Sequence, residues 1–373
     1  MKIGILTFHR ATNYGAVLQS FGLYKTLQSY GHDVEVIDYR PKYIEKYRRA
    51  IALFDIKREK GLLAKIKLLL ISFLGIRTNI ETAQRFDKFI NRVFKLSSSV
   101  LSPEQMPKGY DIIFIGSDQI WSPQICFGFD EIYWGQFPHD NTRLFTYAAS
   151  IGGHNHLNNE EWRKAGHYLK AFERISVREK QLQKDLKEHL DIHSELVVDP
   201  TILVNESVFD ELAEKPKDMP YSYVLVFSVA PTDNLMGFAE KVANETNSKI
   251  VKLSAYNTPW VLRRGKKKTV SPTVEEFLGW FKYAKCVVTV SFHGTVFSVL
   301  FRKDFYSLSN YMQDRAEHFL RSLNLANRLV SSDSNFINDF SYTSVDYSGV
   351  EERLAYMKEH SINFVTNSLR GQS

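Results

Sequence analysis

An α/β protein made of two parallel-sheet halves, with ligands taken in the cleft between them, is what this sequence predicts from three observations. Short runs rich in Val, Ile and Phe alternate with longer segments of helical periodicity, the pattern of βαβ units. A polar segment, 205–220, containing Pro216 and Pro220, interrupts that alternation and separates two similar halves. At 373 residues the chain exceeds one ordinary core and suits two.

The elements follow in order. Residues 2–8 read as a buried strand, and 16–30 as a helix with Val17, Phe21, Tyr24 and Leu27 at helical spacing. Residues 33–39 form the next strand. Residues 57–96 are helical in pattern, with breaks expected at Gly61, Gly75 and the Thr78-Asn79 pair. A buried strand at 110–116 and shorter ones near 144–150, 174–177 and 196–198 complete the first half. The second half reads as strand 223–229, helix 234–246, strand 249–254, helix 273–283, strand 286–292 and helix 295–302. The expected domains are therefore 1–204 and 205–349, with a last helix in 350–373 placed to pack back on the first domain.

Composition narrows the function. A hydrophobic content of 44% with 24% charged residues is that of a globular protein. Cys126 and Cys286 lie in apolar segments and build neither a disulfide framework nor a metal-binding spacing, which implies a reducing compartment and no metal. The opening run lacks a signal-peptide pattern, and no stretch approaches the ~18 apolar residues that span a bilayer, so a cytoplasmic protein is expected. The net charge of +6 is local: residues 40–67 carry ten Lys/Arg against three Asp/Glu. Such a surplus argues for an anionic surface met at one place, not for a nucleic-acid-coating protein. Two readings fit the apolar residues mixed into 57–77: a helix face buried in the core, or a face that rests on anionic lipid together with Tyr39, Tyr43 and Tyr47.

In open α/β sheets ligands bind beyond the carboxyl ends of strands, so residues just after strands are the candidates. In Ser291-Phe292-His293-Gly294-Thr295, His293 is expected to end a strand, Gly294 to turn and Thr295 to cap the next helix. The helix amides and dipole suit an anion, and the imidazole can hold a phosphate or act as acid or base; a structural capping turn is the other reading. Arg178, after a strand and before a helix, suits a ligand carboxylate or phosphate; the other reading is an Arg that points to solvent or pairs with Glu179. The loop Asn13-Tyr14-Gly15 is either a tight turn using φ > 0 or, through an exposed Tyr14, a stacking face for a sugar. It has no G-x-G-x-x-G spacing. Gly116-Ser117-Asp118-Gln119-Ile120-Trp121 gathers an acid/base candidate in Asp118, polar donors in Ser117 and Gln119 and an aromatic platform in Trp121, the parts of a saccharide site. Asp118 also fits a simple N-cap. Asp199-Pro200-Thr201 reads as structural, an Asp fixing a turn.

These motifs, with Gly4-Ile5-Leu6-Thr7-Phe8, Tyr147-Ala148-Ala149-Ser150-Ile151-Gly152, Ser176-Val177-Arg178-Glu179 and Val198-Asp199-Pro200-Thr201, occur in an order in which the sequence resembles the polysaccharide pyruvyl transferase family over nearly the whole chain. The resemblance implies a GT-B-like fold and transfer of the enolpyruvyl moiety of phosphoenolpyruvate to two hydroxyls of a sugar, forming a cyclic ketal and releasing phosphate. It implies no cofactor beyond that co-substrate. His293 and Arg178 match the family's donor-contacting His and Arg. Several members carry Arg two residues before the His, where this chain has Ser291; Arg263, Arg264 or Arg315 are the substitutes in reach of the sequence. The expected acceptor is a saccharide, free or lipid-linked, at the cytoplasmic membrane face, with 40–77 as the peripheral contact. The alternatives are a GT-B-type glycosyltransferase using a nucleotide sugar, and a non-catalytic saccharide-binding protein of the same fold.

Overall fold

The computed structural model describes residues 1–45, 61–152, 157–229, 234–254, 268–308, 314–331 and 339–370. The chain divides into two compact units: Met1–Val204 with Tyr356–Ser373, and Asn205–Ala355.

The first unit is built on a five-stranded parallel sheet, ordered β2-β1-β3-β4-β5. Its strands are β1 (Lys2–Leu6), β2 (Asp33–Val36), β3 (Ile112–Ile115), β4 (Arg143–Thr146) and β5 (Phe172–Arg174). All four residues of β3 are buried, as a central strand covered on both faces requires. The segment expected as one strand at 174–177 divides in two: β5 joins the sheet, while β6 (Ser176–Val177) pairs in parallel with β7 (Glu195–Leu196). Isolated bridges from Asp118 to Ala149 and from Ala149 to Val177 tie the segments that leave β3, β4 and β6 side by side. The end of helix Val350–Arg370 belongs to this unit, where Ser361 Oγ accepts from the Val198 amide and Phe364 packs 6.3 Å from the Tyr147 ring.

The second unit has a six-stranded parallel sheet of order β10-β9-β8-β11-β12-β13. These strands are β8 (Tyr223–Ser228), β9 (Lys249–Ser254), β10 (Lys268–Val270), β11 (Cys286–Thr289), β12 (Asp304–Leu308) and β13 (Leu329–Val330). Helices Leu235–Glu245, Val274–Lys282 and Phe292–Leu300 connect them, and a Thr273/Glu276 capping box starts the middle one. Two parallel α/β units of this kind are the expected fold class.

The long helical pattern of the first half behaves differently from expectation. Helix Leu62–Val93 runs 32 residues without a break at Gly75 or Asn79, since one interior glycine costs a helix only about 1 kcal/mol. Its later residues Phe86, Phe89 and Ile90 are buried in the core, but Leu62, Leu63, Ile66, Leu69, Leu70 and Phe73 are exposed. The buried-core reading of the earlier stretch therefore fails. Tyr39 and Tyr43 depart from the lipid reading as well: both are buried and donate their hydroxyls to Asp130 Oδ2, at 2.9 and 2.6 Å. Tyr47 lies outside the described residues.

One glycine fixes a close approach. In helix Tyr14–Ser29, a Cβ on Gly22 would stand 2.3 Å from the carbonyl oxygen of Pro200, which opens the short helix Pro200–Leu203. Gly to Ala inside a helix ordinarily stabilises. Here the sign should reverse: Gly22→Ala is expected to cost about 2–3 kcal/mol through overpacking, read as a lower urea midpoint.

Candidate active site

Three loops leaving strand ends meet in the first unit. Gly116, after β3, has φ +126°, and a Cβ there would fall 2.2 Å from the Tyr147 carbonyl oxygen. Asp118 follows at φ +77°, an uncommon backbone state for a residue with a side chain. It does not cap a helix: Ser122 is the N-cap of the next one, Pro123–Cys126, and Asp118 Oδ1 instead accepts from the Gln119 amide at 2.9 Å. Asp118 and Gln119 are half-buried and keep access to solvent. Gln119 packs against Gly152, where any Cβ would meet its amide nitrogen at 2.4 Å.

Arg178 is buried among the chain's own carboxylates. Its Nη1 donates to Asp199 Oδ2 at 2.5 Å, Nε lies 3.8 Å from Glu179 Oε1, and Nη2 lies 3.8 Å from Asp118 Oδ1. Burial pulls the guanidinium pKa down, but Asp199, Glu179 and Asp118 more than reverse this, and the net direction is up. The anion that a cation before helix Lys180–Leu190 demands is thus supplied from within. Asp199 does more than fix a turn: it also accepts from the Thr201 amide and hydroxyl, capping Pro200–Leu203. Ser150 Oγ donates to Glu179 Oε1 at 2.5 Å, which brings the Tyr147–Gly152 motif into the same cluster.

Several expected acceptor contacts are placed otherwise. Tyr14 is not exposed; it is 2% accessible, with its ring 5.0 Å from Phe86. Trp121 is no open platform either. It stacks on Trp134 at 4.3 Å and donates its indole N–H to the Tyr133 carbonyl. Ser117 is fully buried. Asn13 has extended backbone at φ −135° and is the N-cap of Tyr14–Ser29, accepting from the amides of Gly15 and Ala16 at 2.9 and 3.3 Å. Gly15 lies inside that helix, so φ > 0 is not what this loop uses.

A network that the sequence reading did not anticipate lies beyond β1 and β2. Asp38 accepts from Arg10 through Nε at 2.7 Å and Nη2 at 2.9 Å, from Arg40 Nη2 at 2.7 Å and from His9 Nε2 at 3.0 Å. Arg10 Nη1 reaches Asp87 Oδ1 at 2.8 Å on the long helix. Burial raises the Asp38 carboxyl, but the bonds from His9, Arg10 and Arg40 outweigh it and hold the pKa far below the carboxylate range. Burial lowers the His9 imidazole below its ordinary 6.5, aided by Arg10 and against the pull of Asp38. The neutral ring that this direction favours can donate either from Nε2 to Asp38 or from Nδ1 to the Thr7 carbonyl oxygen, 3.2 Å away, but not to both.

In the second unit, β11 ends at Thr289, and helix Phe292–Leu300 begins earlier than expected. Ser291 is its N-cap, accepting from the Gly294 amide at 3.4 Å; His293 is the second helical residue, 9% accessible. Gly294 makes no turn: a Cβ there would sit 2.3 Å from Thr289 Oγ1 and 3.1 Å from the Phe227 ring, so it brings the helix onto the sheet. Thr295 does not cap; its hydroxyl bonds to the Ser291 carbonyl and Ser307 Oγ, at 3.2 and 3.0 Å. Arg315, on helix Asp314–Ser322, places its guanidinium 5.5 Å over the Phe292 ring, whose centroid lies 5.3 Å from that of His293. Arg263 and Arg264 lie outside the described residues. No group of three or more His, Cys, Asp or Glu is disposed to hold a metal among the described residues.

Two Rossmann-like parallel units with polar residues gathered after the strands make a GT-B-like α/β fold. A UDP-GlcNAc 2-epimerase from Neisseria meningitidis, solved with UDP-GlcNAc bound, matches over 100% of both chains at 10% identity and a TM-score of 0.50. A UDP-GlcNAc 2-epimerase from Methanocaldococcus jannaschii covers 95% of this chain and 100% of its own at 11% identity and TM-score 0.44. A heptosyltransferase from E. coli covers 83% and 88% at 12% identity and TM-score 0.39. At such identities the likeness concerns the fold alone. No curated protein matches the sequence. The polysaccharide pyruvyl transferase family model matches residues 13–311, and the chain belongs to that family, a family of transferases.

Removing Arg178 leaves three carboxylates without their common counter-ion. Arg178→Met should destabilise by about 3–5 kcal/mol in urea unfolding. His9 gives a pH signature. Its folded pKa lies below 6.5, so the unfolded chain takes up a proton that the folded ring refuses. Stability should fall as pH drops below 6.5, with a slope of up to ~1.4 kcal/mol per pH unit. His9→Gln should flatten that part of the stability–pH curve.

Proposed function

We propose that the protein transfers the pyruvyl group of phosphoenolpyruvate to a saccharide that serves as a polysaccharide precursor. A proton adds to the methylene carbon of the donor, a sugar hydroxyl bonds to the adjacent carbon, and the carbon–oxygen bond to phosphate breaks. The second hydroxyl then closes the ketal. Of the two hydroxyl protons, one ends in the new methyl group and the other on the released phosphate.

Family membership supports the reaction class. The observation that carries the donor assignment is Arg315 over Phe292, next to His293. Ser291 already supplies the helix cap, so a guanidinium from the neighbouring helix takes the part that other members give to Arg two residues before the His. In this reading Arg315 and His293 face the donor phosphate, and His293 is the acid that serves the methylene carbon or the leaving oxygen. Within the first unit, Asp118 keeps access to solvent beside Gln119 and is the carboxylate there suited to accept a proton. Arg178 is a positioning residue that holds Asp118 and Glu179 in place.

The test is incubation with phosphoenolpyruvate and a panel of aryl and lipid-linked glycosides, with the ketal detected by mass and phosphate release measured in parallel. His293→Asn should lower kcat by at least ~100-fold. Arg315→Gln should raise KM for phosphoenolpyruvate about tenfold or more, as loss of a charge-assisted bond implies. Thermal stabilisation by a nucleoside diphosphate and not by phosphoenolpyruvate would point to nucleotide-sugar chemistry, and a response to glycans alone to a binding protein.

A further inference from the structure

We infer that the outer half of helix Leu62–Val93 is a docking face for an anionic lipid surface. This rests on its own observations and does not depend on the reaction. Leu62, Leu63, Ile66, Leu69, Leu70 and Phe73 are exposed, Leu63 to 83% and Phe73 to 68%. At 3.6 residues per turn they share an arc of about 120°. A contiguous row of large apolar side chains in solvent marks an interaction surface.

That arc is no overflow of the core-facing stripe. Phe86, Phe89 and Ile90, which bury the inner half of the same helix, lie roughly 150° around its axis. The helix thus carries two apolar faces with different addresses, one for the chain's own core and one directed away from it.

Charge selects the partner. Between Lys60 and Glu81 the sequence contains Lys65, Lys67 and Arg77 and no acidic residue. Across 40–80 there are eleven Lys/Arg against three Asp/Glu. Arg77 is 91% exposed at the end of the apolar row, and Lys65, half-buried, borders it. Apolar residues on one face with basic residues beside them are the composition of helices that lie in the headgroup region of acidic membranes. No described helix is long and apolar enough to cross a bilayer, so the contact would lie on the surface.

The experiment is co-sedimentation of the full chain with vesicles of phosphatidylcholine alone and of phosphatidylcholine mixed with phosphatidylglycerol. Binding to the anionic vesicles should exceed binding to the neutral ones at least about tenfold and weaken with salt. The double variant Leu69→Glu, Phe73→Glu should lose it while keeping the wild-type melting temperature, because both side chains are exposed. In Phe73→Trp the emission should shift to the blue on anionic vesicles only. Absence of binding, equal binding to both compositions, or full binding by the double variant would each overturn the assignment. So would a wild-type dimer in light scattering that ignores vesicles and is split by the double variant, which would make the occupant a second copy of the chain.

Discussion

The bond between Arg178 and Asp199 organises the first unit's candidate site. The guanidinium comes from the end of β6, the carboxylate from the residue that caps Pro200–Leu203, and that short helix is the one Gly22 admits against Tyr14–Ser29. A single charge pair therefore links the first helix of the chain, the strand-end loops and the segment leading out of the unit. Glu179 and Asp118 gather around the same cation, and Ser150 is fastened to Glu179. A buried cation with three carboxylate neighbours is costly to desolvate and more costly to break, which makes the position of Asp118 a property of the fold and not of a flexible loop.

The second unit solves a different problem. Its strand-to-helix turn is closed from within, with Ser291 on the Gly294 amide and Thr289 Oγ1 on the Ser291 amide at 3.0 Å. Gly294 lets the helix lie directly on Thr289 and Phe227. His293 is then held by helix geometry on a rigid element, and a cation from elsewhere in sequence, Arg315, packs on the ring of its neighbour Phe292.

The order of strands and helices was legible because periodicity is a local property, and Asp118 and Arg178 were legible as residues that follow strands, though not that they meet. Side-chain direction was not. An aromatic in a post-strand loop serves the core as readily as a ligand, and Tyr14 and Trp121 went to the core. Nor was the Asp38 network, whose partners Arg10 and Asp87 lie 28 and 77 residues from the groups they meet. The available signal was the pair His9-Arg10 directly after the first strand: two basic side chains where the sheet ends and burial begins. The exposed row on the long helix fitted two readings, core face or lipid face, since periodicity reports that a face is apolar, never what covers it.

Asp87 gives that helix a further consequence. It sits on the inner half, bonded to Arg10 and through it to Asp38, so the helix is anchored at the edge of the first sheet. A helix of 32 residues is about 48 Å long, and Phe73 stands some 21 Å along it from Asp87. Two kinds of contact hold the inner half, the Asp87 ion pair and the buried side chains of Phe86, Phe89 and Ile90. The apolar row is thereby carried on the same continuous rod that the chain's own core grips, several turns away from where it is gripped.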